Sequence, residues 1–305
     1  MPRSAVVAAF VALLLTALSA PALATSRAEV SVTGAVATPV VYTASQLAAL
    51  GETTYPVTNP GRGQSPTVTG VDLAAVVALS APVLPPGKNT ALRVTLTVTG
   101  AHDSATFALA ELDPGFGHHP AVLTTGGSGV GQGVGRSVGQ GGGRSVGLVV
   151  PGDRNRTRSV ADVRSVRVAA STAAAGDAIG GAVQVKTSHR TVTLSARLLS
   201  YLPSRSASVS FQTGTGPQAH VESGPPLSLV LLAAEVLPRA GTPIVAVGGD
   251  GYGAAVTLAE DYVGGRPLLL STVEDGKPLA QPRLAPVGDL KGGRYVSGVV
   301  TLNVG

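Results

Sequence analysis

The stretch GDRNRTRSVADVRSVRV (152–168) and the closing GDLKGGRYVSGVVTLNVG (288–305) follow one plan, and this internal likeness narrows the possible folds more than any other feature of the chain. Each has an Asp, an Arg five residues on, and apolar positions at matching intervals. Asp153, Arg158, Val160, Val163, Val166 and Val168 stand over Asp289, Arg294, Val296, Val299, Leu302 and Val304.

The likeness continues upstream. Val30 and Val32 correspond to Val183 and Val185, and YTASQLAAL to LSARLLSYL. Both of the latter read as a strand entering a short helix with Thr43 or Ser195 as N-cap, and Gln46 completes a capping box in the first. TGVDLAAVVALSAPVLP and SGPPLSLVLLAAEVLP are each a Gly-led turn into a helix that stops at Leu-Pro. RVTLTVTGAHDSATFALAEL and IVAVGGDGYGAAVTLAED alternate as hairpins and set Glu111 over Glu260, and GGDG is a strong turn signal. The expected fold class is therefore α+β and strand-rich, in two tandem copies with short helices. They occupy residues 25–168 and 183–305, joined by the small-residue linker AASTAAAGDAIGGA at 169–182.

With 44% hydrophobic residues but only 3% aromatic and no Trp, the composition favours strands with small-residue turns. The chain has no cysteine, which excludes disulfides and thiolate chemistry. Residues 1–24, MPRSAVVAAFVALLLTALSAPALA, read as a signal peptide cleaved after Ala24, so the mature protein is expected to be secreted or extracytoplasmic with no membrane span. A net charge of +5 spread over 13% charged residues points away from a nucleic-acid partner. The arginines between Arg154 and Arg167 would scatter over both faces of a strand, beside Asp153 and Asp162, and are expected on a solvated edge strand protected by charge.

The Gly-rich segment 126–147 reads as a loop insert. It contains GRSVG twice, formally a G-x-S-x-G with Ser137 or Ser145 in the serine position, yet the required strand before and helix after are missing, so no catalytic residue is expected there. His118 and His119, in GFGHHP, are candidates for holding an anion or metal, but no further ligand follows at a known spacing. An exposed loop pair is the expected placement, and no metal is assigned.

The succession TGVDLAAVVALSAP, GGDGYGAAVTLAED with DGKPLAQP, and RLAPVGDLKGGRYVSGVVTLNV is similar to the molybdopterin-binding domain of the sulfite oxidase superfamily. There a "tGvpL" turn enters a helix, a "DGY" hairpin follows, and a "RLVVPGD..GGRYV.gV..i.V" segment closes the module. The resemblance implies sulfite-oxidase-like mixed β domains and an oxidoreductase built on a molybdopterin cofactor. It adds Asp250 and Tyr252 of the hairpin and Arg294 of the closing segment to His118 and His119 as candidate cofactor-binding residues.

That family holds molybdenum with a cysteine just ahead of the "tGvpL" turn. The corresponding stretches here, TTYPVTNPGRGQSPTVTG and SASVSFQTGTGPQAHVESG, have none, and hydroxyls such as Thr58 and Ser210 are hard donors that replace a thiolate poorly. The expectation is thus an exported, non-catalytic ligand-binding or structural module without cofactor, whose partner is a small molecule or a cell-envelope component. The alternatives are a molybdopterin oxidoreductase with an unusual ligand set, and a cell-surface β-sandwich adhesion module in which repetition gives avidity.

Overall fold

The structure, a computed structural model, describes residues 28–58, 67–125 and 145–305. The leader at 1–24, Asn59, Ser137 and most of the Gly-rich insert lie outside the described residues. In chain order the elements up to residue 170 are β1 (Glu29–Gly34), β2 (Val40–Thr43), α1 (Ala44–Ala48), β3 (Thr53–Pro56), β4 (Thr67–Asp72), α2 (Leu73–Leu79), β5 (Val94–Thr99), β6 (Ser104–Ala108), α3 (Leu109–Leu112), β7 (Val122–Thr124), β8 (Gly147–Val149) and β9 (Ser165–Ala170). After them come β10 (Val183–Lys186), β11 (Thr191–Leu194), α4 (Ala196–Tyr201), β12 (Arg205–Thr213), β13 (Gly216–Gly224), α5 (Leu227–Ala233), β14 (Pro243–Gly248), β15 (Gly253–Thr257), α6 (Ala259–Tyr262), β16 (Leu268–Glu274), β17 (Lys277–Pro286) and β18 (Val299–Val304).

These strands form four small sheets, the blades of a four-bladed β-propeller: β2-β1-β9-β5-β6, β11-β10-β18-β14-β15, β12-β13-β16-β17 and β3-β4-β7-β8. Strand accounts for 43% of the residues and helix for 16%, so the helices are short appendages to sheets and not a layer of their own. This corrects the expected pair of tandem sulfite-oxidase-like α+β domains. Matched apolar intervals specify which strands resemble each other, whereas the number of sheets is decided by distant pairings such as β1 with β9, β4 with β7 and β13 with β16.

Local sequence rules do hold inside the blades. Thr43 and Gln46 make the reciprocal capping box at the start of α1, and Ser195 caps α4 through its hydroxyl. Gly70 and Gly224, which lead the turns into α2 and α5, are glycine for a steric reason. A Cβ at Gly70 would lie 2.3 Å from the Leu123 carbonyl oxygen, and one at Gly224 would lie 2.1 Å from that of Leu270.

The expected edge strand is also corrected. β9 is the middle strand of its sheet, parallel to β1 and antiparallel to β5. Val166 and Val168 point into the core and Arg167 outward, as strand alternation requires, while Arg158, before the strand, is only 3% exposed.

Apolar packing links the two ends of the molecule. One core gathers Val30, Val32, Leu96, Phe107 and Val166 with their neighbours. A second, built mainly from residues after 182, also takes in Leu92 and Ala110. Ala108, Val245, Val247 and Ala255 form a seam, with Ala173 and Ala175 of the connecting stretch packed on it. The Arg93 guanidinium donates across this seam to the Gly251 carbonyl and, at 2.9 Å, to that of Ala173.

Candidate functional site

The Asp and Arg of the repeated motif meet in both places, and that pairing shapes the loop between them. Arg158 donates to Asp153 from Nε (2.9 Å) and Nη2 (2.6 Å), and Arg294 grips Asp289 in the same two-pronged way. The third donor, Nη1, reaches a helix carboxylate in each case: Glu111 at 2.6 Å and Glu260 at 2.8 Å. All six residues are buried, so each ion pair is charge-assisted and hardly screened. Arg154–Thr157 and Leu290–Gly293 are the loops so pinched, and the second becomes the floor of a cleft.

The two networks differ in how they end. His119 approaches Asp153 with Nε2 at 2.9 Å, whereas Arg266 donates to Asp289 and sits 4.0 Å from Glu260. Glu260 Oε1 accepts the Thr257 backbone N–H, but Glu111 Oε2 is buried with no partner among the described residues. Burial, together with the repulsion of Glu260, outweighs Arg158 and pushes the Glu111 carboxyl up to about 7. Burial likewise opposes ionisation of Asp153, but hydrogen bonds from His119 and Arg158 hold it below its usual range.

The cleft, of about 740 Å³, opens between the long hairpin β12–β13, the ends of β16 and β17, and the segment Lys291–Ser297. Antiparallel register places Phe211 opposite Gln218 and Val209 opposite His220, so one hairpin face carries Phe211, Gln218 and His220 of the lining. Glu222 and Glu274 are also direct cross-strand partners, a like-charge pair that would repel alone. Arg283 Nη1 bonds both, at 2.7 Å to Glu222 and more closely to Glu274, while its Nε donates to Ser297 Oγ at 3.2 Å. His220 Nδ1 lies 3.0 Å from Asp275 Oδ2 and 3.6 Å from Glu274.

Lys291 is held at the opposite side. The Gln212 N–H donates to the Leu290 carbonyl, and the Leu290 N–H to that of Phe116, both at 2.9 Å. The Lys291 ammonium stands 6.0 Å from the centre of the Phe116 ring, and the Asp113 carboxylate lies near it. Arg283 is held by two carboxylates, whereas Lys291 forms no ion pair among the described residues; its acidic neighbour is Asp113, since a Cβ on Gly115 would stand 3.0 Å from Asp113 Oδ1 and 3.4 Å from Lys291 Nζ.

The residues expected from sequence fall elsewhere. His119 is 8% exposed and hydrogen-bonded to Asp153, which corrects its placement in an exposed loop pair, because Asp153, distant in sequence, folds over it. His118 is exposed, has φ +49°, and borders a smaller hollow of about 320 Å³ with Tyr55, Asp72 and Asp113. There Tyr55 donates its hydroxyl to Asp72, and burial with that carboxylate pushes the phenol up to about 12. Asp250 is exposed at a hairpin tip and accepts the Tyr252 N–H. Tyr252 donates its hydroxyl to the Gly293 carbonyl and so braces the cleft floor from behind, and Arg294 anchors that floor. Ser145 precedes strand β8 with no helix following, so the elbow context is absent there too. Sequence reasoning passed over His220, Arg283, Lys291 and Tyr295. The one available signal was the match of Glu111 with Glu260, two carboxylates at the same point of apolar runs.

A molybdenum centre of the kind the resemblance implied does not fit these residues. The chain has no thiolate, Thr58 and Ser210 are exposed side chains, and the described residues contain no cluster of three His, Asp or Glu able to hold a metal ion. Among the described residues no helix is long and apolar enough to cross a membrane. No family model matches the chain, and no curated protein does. Among solved structures the chain is distantly similar to the sulfane dehydrogenase SoxCD from Paracoccus pantotrophus, at 15% identity and a TM-score of 0.35, over 45% of this chain and 41% of that one. The chain thus spans less than half of that protein's length.

Proposed function

We propose that this is an exported binding protein that takes a small organic anion in the cleft between the β12–β13 hairpin and the Lys291–Ser297 segment. The observation that carries the reading is that Arg283 is taken up by Glu222 and Glu274, whereas Lys291, though near Asp113, forms no ion pair among the described residues and is free to turn to a ligand. Such an ammonium beside a concave, partly apolar wall is an arrangement that binds a carboxylate-sized charge. The leader at Met1–Ala24 supports export. The reading is of binding without turnover. In the cleft the His220 ring is fixed through Nδ1 by Asp275, which orients it as part of the binding wall.

Isothermal titration of the mature chain with small carboxylates and their neutral amides tests this. Carboxylates are expected to bind in preference to the amides, and Lys291→Met to remove the preference. Equal binding of acid and amide, or an unchanged preference in Lys291→Met, overturns it.

A further inference from the structure

We infer that the ligand of this cleft is an aromatic monoanion, a planar ring carrying one carboxylate. This rests on the proposed function and narrows it. The first observation is the floor. Lys291 is followed by Gly292 and Gly293, and each glycine lies under an aromatic ring from a different part of the chain. A Cβ at Gly292 would stand 2.8 Å from the Phe211 ring, and one at Gly293 would stand 2.4 Å from Cε1 of Phe116. Only glycine lets both rings settle onto the backbone, so the two phenyl groups line the cleft on either side of a thin strap. Phe211 is fixed further by Tyr295, with ring centres 4.4 Å apart.

The second observation is the count of charges. Phe116, half-buried, sets its ring 6.0 Å from Lys291, the cleft cation that forms no ion pair among the described residues. Arg283 and His220 are already engaged by carboxylates, so Lys291 is the one cation left to meet a ligand, and the Glu222, Glu274 and Asp275 carboxylates around the cleft disfavour a phosphate dianion, which needs two or three cations. A flat ring can lie against Phe116 in offset or edge-to-face geometry while its carboxylate meets Lys291, because Phe211 is buried against Tyr295 and only edges the cleft. Gln212 and Gln218 stand at the rim, on the same hairpin, to bond polar ring substituents.

The test titrates the mature chain with benzoate, phenylacetate, cyclohexanecarboxylate, benzamide and phenyl phosphate. The two aromatic carboxylates are expected to bind roughly three- to tenfold more tightly than the saturated ring acid, the increment of one aromatic contact. Phe116→Leu is expected to erase that difference while leaving the preference for acid over amide. Equal affinity for benzoate and cyclohexanecarboxylate in the parent protein overturns the aromatic inference and leaves the anion reading standing. Tighter binding of phenyl phosphate than of benzoate overturns the monoanion part. Failure of every carboxylate to bind at millimolar concentration overturns both this inference and the proposed function. The ligand panel on the parent chain decides the matter even where Phe116→Leu does not fold.

Discussion

Arg294 holds Asp289 through two parallel hydrogen bonds, Nε to Oδ2 at 2.7 Å and Nη2 to Oδ1 at 2.6 Å, and neither residue is more than 1% exposed. The pair closes the Leu290–Gly293 loop, and the loop's outer surface is the floor of the cleft. A motif first visible as an Asp and an Arg five residues apart is therefore a clasp, and the ligand surface rests on it.

Breaking the clasp should be costly. Arg294→Met strands Asp289 and Glu260 as buried carboxylates with only Arg266 nearby, and removing one partner of such a pair costs about 3–5 kcal/mol. Arg294→Lys restores the charge without the fork and should recover less than half of the loss. Urea denaturation of the three proteins measures this. A loss below about 1 kcal/mol in Arg294→Met would mean that the network contributes nothing net.

Glu111 predicts a pH dependence. Its folded value of about 7 lies above its ordinary value of 4.5, so between these limits the folded state keeps a proton that the unfolded chain releases. Stability therefore falls as pH rises from about 4.5 through 7, and this component is largest at low pH. Glu111→Gln keeps the shape and cannot titrate, so its unfolding free energy should lack that decline. The comparison at pH 5 and pH 8 reads it directly, and parallel curves for the parent and Glu111→Gln would refute the assignment.

The glycines divide into two classes that a single substitution distinguishes. Gly224→Ala forces a methyl against the Leu270 carbonyl, a backbone atom that cannot swing away, and is expected to cost several kcal/mol through displacement of β13 from β16. Gly276→Ala, at the turn between β16 and β17, meets nothing within 4 Å and bears only the strain of φ +76°, so about 1 kcal/mol is expected. Denaturation midpoints of the two variants should fall in that order. The reverse order would show that conformational preference, not contact, fixes these positions.

How much of this was legible in the sequence follows from distance along the chain. The α1 capping box, the GGDG hairpin and the Asp–Arg spacing involve residues within about one turn of each other, and local chemistry specifies them. Burial of Arg158 was not legible, because its second carboxylate, Glu111, is 47 positions away and the charges read as solvated. The cleft was hidden for the same reason. Phe116, Phe211, Arg283 and Lys291 come together only when the β12–β13 hairpin folds over the closing segment. The blades were hidden too, since pattern matching along the chain carries no information about which distant strands hydrogen-bond.

The seam predicts how the chain behaves when cut. The stretch from Ser171 to Ile179 contains no strand, and Ile179 is 82% exposed, so a protease site placed at Ile179 should be cleaved in the folded protein. The fragments on either side share a packed surface. Leu92 and Ala110 belong to the core built mainly from the second fragment, and Ala108 packs on Val245, Val247 and Ala255. Arg93 reaches Gly251, and the Arg154 N–H donates to the Val263 carbonyl at 2.9 Å. Separation would expose these apolar groups and leave Arg93 without a partner across the seam, a combination that favours continued association after the covalent link is gone. The nicked protein should elute from a sizing column at the position of the intact chain and release its fragments only in denaturant. Two separate peaks in plain buffer would show that the seam is too weak to hold them and that each fragment stands as a folding unit of its own.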